Sequence, residues 1–215
     1  VPPIYPSTTF ARPPDEQARY GRMYARDGNP GFDQAEALLN ALEGGAGCRL
    51  FASGMAAAAT VFQALGPGDH VVLPEVTYHG VRTWVKSHGE HWGLDVDFVP
   101  NGDLAALKVA MRPGATRLVW VETPCNPMWA VADIAASAAI AHDAGARLAV
   151  DSTVSTPVLT RPLEHGADLV MHAATKYLNG HSDVLAGALV TARDDDFWRR
   201  ITALRHDAGA VVGPF

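Results

Sequence analysis

Short segments of strand character alternate with longer segments of helical character through most of this chain, and no other feature restricts its fold as tightly. Residues 70–74 form a short apolar run between turn signals. Leu94, Val96 and Phe98 alternate with polar neighbours, and residues 117–122, 147–151, 168–172 and 184–191 are further runs of strand length. Stretches of helical period lie between and around them. Ala35, Leu38, Leu39 and Leu42 recur at three- and four-residue spacing before Gly44-Gly45 ends the pattern. Another helix opens after Ser53-Gly54 and runs through Met55 and a row of alanines toward Leu65, where Gly66-Pro67-Gly68-Asp69 stops it. Residues 103–111 read as helix, and Asp133 is placed to cap one that ends at Gly145. A last helix over residues 194–206 has acidic side chains in its first turn and basic ones near its end, matching the helix dipole.

Parallel strands must be joined by long crossovers, which helices supply. The alternation therefore predicts an α/β fold: a mostly parallel sheet with helices on both faces. Residues 1–31 are rich in Pro, Gly, Tyr and Arg and lack any period, so they read as an N-terminal arm, with residues 32–215 as one domain. No internal repeat or low-complexity linker divides it.

Composition then removes several classes of function. Hydrophobic residues make up 48% and charged residues 19%, which fits an ordered domain and not a disordered tail. The net charge is -6 and Lys and Arg are scattered, so the basic face that nucleic acid needs is missing. The alanine-rich stretch from Ala130 to Val150 is broken by Asp133, His142, Asp143 and Arg147, too polar for a membrane span. The first residues carry neither a basic nor an apolar leader segment, and Cys48 and Cys125 are too few for a disulfide framework. Free thiols and a cytoplasmic location are expected. Val1 in place of an initiator Met reads as a fragment or a processed product. His88 and His91 have a spacing that can bind metal, but no third ligand of that pattern follows, so no metal is expected. His172 and His181 read as packing residues and Cys125 as a structural thiol.

In open α/β sheets, ligands bind beyond the carboxyl ends of the strands. Asp151 ends one strand, Asn126 follows another, and Lys176 lies just past His172. Ser53-Gly54-Met55 falls at a helix N-terminus, where free N–H groups and the dipole favour a phosphate. A lysine, a buried acid and a phosphate cradle are together what pyridoxal phosphate (PLP) requires: an amine for its aldehyde, a carboxylate for its ring nitrogen, an anchor for its phosphate.

Three segments then carry a specific resemblance. Phe51-Ala-Ser-Gly-Met-Ala-Ala57, Asp151-Ser-Thr-Val-Ser-Thr-Pro-Val158 and His172-Ala-Ala-Thr-Lys-Tyr-Leu-Asn-Gly-His-Ser-Asp183 resemble the Cys/Met-metabolism, or trans-sulfuration, PLP enzymes. That family includes cystathionine γ-synthases, cystathionine lyases, methionine γ-lyases and O-acylhomoserine sulfhydrylases, and the likeness runs from Pro3-Ile-Tyr5 to the last helix. It implies the PLP-dependent transferase fold of type I, with a sheet of the seven-stranded kind. By the same resemblance, Lys176 is the Schiff-base lysine and later proton carrier, and Asp151 pairs with the ring nitrogen with support from Thr153. Tyr78 stacks on the cofactor and assists with substrate protons. Ser53, Gly54, Met55 and Thr175 hold the phosphate, and Asn126 lies near the phenolic oxygen. Tyr24 and Arg26 reach a neighbouring subunit's phosphate in a homotetramer.

The resemblance further implies an amino-acid substrate and β/γ-elimination or γ-replacement on a sulfur amino acid or a homoserine ester. A transaminase-type reaction on the same fold, or a PLP-binding but non-catalytic fragment, are the alternatives. Three features depart from the family pattern. Ala173 stands where a serine is usual, His79 follows Tyr78 where a small or thiol residue is usual, and the family's small C-terminal domain has no counterpart here.

Overall fold

In a computed structural model, which describes residues 3–11 and 23–214, the apolar runs line up as one seven-stranded sheet. Its strands are β1 (Gly47–Phe51), β2 (His70–Pro74), β3 (Asp95–Val99), β4 (Thr116–Glu122), β5 (Arg147–Asp151), β6 (Leu169–His172) and β7 (Gly187–Thr191), in the order β1-β7-β6-β5-β4-β2-β3. The four pairings among β2 to β6 are parallel, and β7 runs antiparallel to both β6 and β1. Residues of β2, β6 and β7 are buried throughout, which is why those strands read as continuous apolar runs rather than alternating ones.

Helices cover both faces, and two short ones, α4 (Glu90–Trp92) and α7 (Thr156–Leu159), lie in the connections before β3 and after β5. On one side α2 (Gly54–Gln63), α3 (His79–Trp84) and α8 (Asp196–Asp207) enclose Phe51, Phe62, Trp120, Leu189 and Ile201. On the other, α5 (Leu104–Ala110) and α6 (Ile134–Asp143) bury Leu107, Val119, Ile134 and Leu148, while α1 (Pro30–Glu43) packs Phe32 and Leu39 against Leu50, Val170 and Val190. Burying each such side chain contributes about 1.5–3 kcal/mol against leaving it in water.

Local chemistry sets the helix ends. Asn29 caps α1 by accepting from Gly31 N, and Gly44 takes the left-handed conformation (φ 70°) that ends it. Asp103, Asp133 and Asp195 cap α5, α6 and α8. Because Asp195 is the cap, α8 starts at Asp196 rather than at residue 194. The strand expected from residue 184 starts only at Gly187, since Leu185 is exposed and the chain enters the sheet where it meets the Ser53 carbonyl.

Strand β1 has no clean sequence period, with Arg49 between Cys48 and Leu50, and is held by side chains from elsewhere. Glu36 of α1 accepts from Leu50 N (2.9 Å), and buried Arg205 of α8 donates through Nε to the Leu50 carbonyl (2.5 Å). Among the described residues no helix is long and apolar enough to cross a membrane.

Candidate active site

Because β1 and β6 are both antiparallel to β7, they point the same way. The Ser53 turn after β1 therefore emerges at the edge where the parallel strands β2, β4, β5 and β6 end. Ser53 has extended backbone (φ -165°) and caps α2, its Oγ accepting from Ala56 N at 3.0 Å. The Gly54 and Met55 N–H groups, in the first turn, have no acceptor within the helix and are left for an anion. Two close approaches place this turn. A Cβ on Gly187 would lie 2.2 Å from the Ser53 carbonyl oxygen, and one on Gly54 would lie 2.7 Å from Ala173 Cβ. Only glycine fits at either position, and the helix N-terminus is thereby pressed onto the segment that carries Lys176.

Asp151, the last residue of β5, is 6% exposed. Its Oδ1 accepts from Thr153 N (3.0 Å) and from Thr153 Oγ1 (2.6 Å), and Thr153 Oγ1 in turn accepts from Ala173 N (2.8 Å). A continuous chain of bonds thus runs from the Lys176 segment through Thr153 to the acid, while Oδ2 accepts nothing from the described residues. Burial pushes the Asp151 carboxyl up to about 6, helped by the neighbouring Glu122 carboxylate and opposed by the Thr153 bonds and by His172.

Lys176 lies in the connection between β6 and β7, which is pinned along its length. Its N–H donates to the Ala173 carbonyl (3.0 Å) and its own carbonyl accepts from Gly180 N (2.9 Å). Thr175 donates from N and from Oγ1 to the Ala186 carbonyl and accepts from Ala186 N. The Thr175 hydroxyl is thus engaged with Ala186 in the cofactor-free chain. Lys176 itself is exposed, and its amine has no hydrogen-bond or ion-pair partner among the described residues.

Glu122 is a residue that sequence reasoning passed over. It ends β4 as Asp151 ends β5, the two Cα positions are paired in register, and it is 6% exposed. Its Oε2 accepts from Thr77 Oγ1 (2.6 Å) and Tyr78 N (2.6 Å), and its Oε1 from Asn126 N (2.8 Å). The available signal was an acid closing an apolar strand, the same signal that singled out Asp151. Tyr78 is 37% exposed, and its phenol makes no hydrogen bond within the described residues. A Cβ on Gly80 would touch both the Tyr78 ring (2.7 Å) and Met55 Sδ (2.9 Å), so Tyr78 and the start of α2 flank one point. His172 is fully buried, with Nε2 2.6 Å from Glu43 Oε1, and packs on the α1 side of the sheet.

Ser53, Gly54, Met55, Tyr78, Asn126, Asp151, Thr153, Thr175 and Lys176 thus share one edge of the sheet. Tyr24 and Arg26 make no hydrogen bond or ion pair with any of these residues among the described residues. Both are exposed, the Arg26 guanidinium sits 5.5 Å from the Tyr24 ring centroid, and Tyr24 bridges to Thr9.

An unpaired amine, a buried carboxylate with one open oxygen and a helix N-terminus lie along the carboxyl edge of an α/β sheet, a set suited to a phosphorylated aldehyde with a basic ring nitrogen. The donor set fits PLP. Comparison with known proteins agrees. The family model described as Cys/Met metabolism PLP-dependent enzyme matches residues 1–215, and the chain belongs to that family. Cystathionine gamma-synthase of Mycobacterium bovis is 46% identical over 99% of this chain and 55% of its own length. L-methionine gamma-lyase of Pseudomonas putida is 40% identical over 100% of the chain and 56% of its own. The crystal structure of metB from Corynebacterium glutamicum superposes with a TM-score of 0.95 at 38% identity, covering 100% of this chain and 56% of that one. The chain spans about half the length of the curated relatives it matches.

Proposed function

We propose that this protein is a PLP-dependent enzyme that catalyses β- or γ-elimination, or γ-replacement, on a sulfur amino acid or a homoserine ester. The observation that carries the reading is the run of bonds from Ala173 through Thr153 to Asp151, which couples the acid to the segment bearing the free Lys176 amine. When bound, PLP supplies an electron sink for the carbon next to the substrate's amino group.

The chain's own residues do the rest. Asp151, through the open Oδ2, would hold the protonated ring nitrogen, and a cationic partner there would keep the carboxylate ionised despite its burial. The Gly54 and Met55 amides and the Ser53 hydroxyl hold the phosphate, with the dipole of α2 behind them. Tyr78 would stack on the cofactor, and Asn126 would hold its phenolic side. The Lys176 amine anchors the cofactor, then takes the proton from the substrate's Cα and returns it where the reaction needs it. Reaction at Cγ needs a second proton removed at Cβ, with Lys176 and Tyr78 as the groups in place. Tyr24 and Arg26, both exposed, would serve the phosphate of a neighbouring subunit in a homotetramer, where a planar guanidinium suits a dianion. Two free thiols fit a cytoplasmic location.

The experiment is a visible absorption spectrum with PLP, followed by cystathionine, methionine or an O-acylhomoserine. The reading expects a band that each true substrate perturbs, with release of a thiol, a keto acid or a new thioether. A band that no amino acid disturbs would leave cofactor binding standing and overturn the catalytic part.

A further inference from the structure

The carboxylate of Glu122 collects three donors from two segments that are distant in sequence. Thr77 and Tyr78 follow β2, and Asn126 follows β4, yet Thr77 Oγ1, Tyr78 N and Asn126 N all converge on it within 2.8 Å. Glu122 and Thr77 are both buried, so their bond is shielded from water, while the two amide bonds lie nearer the surface. Asn101 ties Val76 and Ala130 ties Cys125, each within its own neighbourhood, whereas Glu122 joins the two segments to each other, and hydrogen bonds to a charged acceptor are about twice as strong as neutral ones. The Tyr78 ring and the Asn126 side chain are exposed, so their placement rests on where their backbones are tied.

We propose that Glu122 is a positioning residue that clamps the Tyr78 segment and the Asn126 loop together beside Asp151, fixing both side chains for the cofactor. The proposal rests on the reading of this edge as a PLP site, but the clamp itself is a property of the chain without cofactor. An acid is required rather than an amide because every group that meets it is a donor. A glutamine keeps one oxygen and turns an NH2 toward either the Asn126 N–H or the Tyr78 N–H, and neither can accept.

The test compares wild type with Glu122→Gln and Thr77→Val, reading amide hydrogen exchange without cofactor, then PLP affinity and the induced circular dichroism of bound PLP. In Glu122→Gln, the Tyr78 or the Asn126 amide should exchange at least about tenfold faster while the amides of β2, β4 and β5 keep their protection. PLP affinity should fall on the order of tenfold and the dichroic band should shrink, because the ring environment is less fixed. Thr77→Val, which removes one bond of the three, should show a smaller change in the same direction. Unchanged exchange at both amides overturns the clamp. Faster exchange with unchanged affinity and dichroism overturns its role toward the cofactor. If wild type binds no PLP, the reading of the site fails, and exchange still decides whether the clamp exists.

Discussion

Asp151 and Glu122 close adjacent parallel strands at paired positions, two carboxylates side by side on one face of the sheet. Glu122 is satisfied by three donors, whereas Asp151 keeps one oxygen open. Burial, with Glu122 adding to it, holds the Asp151 carboxyl up to about 6, against an ordinary 3.8.

That difference fixes a pH dependence for the cofactor-free protein. The folded carboxyl binds its proton more tightly than the unfolded one, so between about 4 and 6 the native state carries more protons, and stability falls as pH rises through that window. Above it the cost is constant, at most roughly 3 kcal/mol for two pH units. Asp151→Asn should therefore raise the melting temperature of the cofactor-free protein at about pH 7.5, with the gain vanishing toward about pH 4. Thermal melts of both proteins across that range check it. A gain that is equal at both ends would contradict it.

Thr153 joins Asp151 to Ala173, so Thr153→Val should cut two bonds at once. The Ala173 N–H loses its acceptor and Asp151 loses its shortest donor, a cost of about 1–3 kcal/mol. PLP affinity should fall with it, and Thr153→Ser should restore most of both. Denaturant melts and cofactor titration of the two variants separate a hydroxyl effect from a packing effect.

Ala173 Cβ lies against the Gly54 turn, so a hydroxyl there would face the phosphate cradle. Ala173→Ser should bind PLP several-fold more tightly, measured by cofactor titration, with little change in stability. Equal or weaker affinity would show that the cradle is complete without it.

Gly187→Ala should harm the same cradle from the opposite side. Its Cβ would meet the Ser53 carbonyl oxygen at 2.2 Å, a backbone atom that can yield only if the helix N-terminus moves. The variant should lose PLP affinity by more than it loses stability. Gly145→Ala, at the opposite edge of the sheet just before β5 begins and in a left-handed turn (φ 77°), should show stability loss alone.

How much of this was legible in the sequence follows from which forces act locally. Strands β2 and β5 were readable to the residue because they are buried on both faces and so stay apolar without interruption. Strand β1 was not, since Arg49 interrupts it and its place depends on Glu36 and Arg205, distant in sequence. The antiparallel course of β7 left no local mark either, and depends on how residues 173–186 turn. The positions of Asp151 at a strand end and of Ser53-Gly54 at a helix start were legible locally, as was the place of Lys176 in the connection after β6. The bonding of Thr175 to Ala186 and the convergence of Thr77, Tyr78 and Asn126 on Glu122 were not, because both are made by chain segments that meet only in the folded state.

The most direct test of the central claim is to add PLP, reduce with borohydride, digest, and locate the cofactor by peptide mass. Lys176 as the anchoring amine predicts a visible band that borohydride bleaches, a cofactor adduct on the peptide containing Lys176, and no band in Lys176→Ala. An adduct spread over other lysines, or a band that persists in Lys176→Ala, would contradict it.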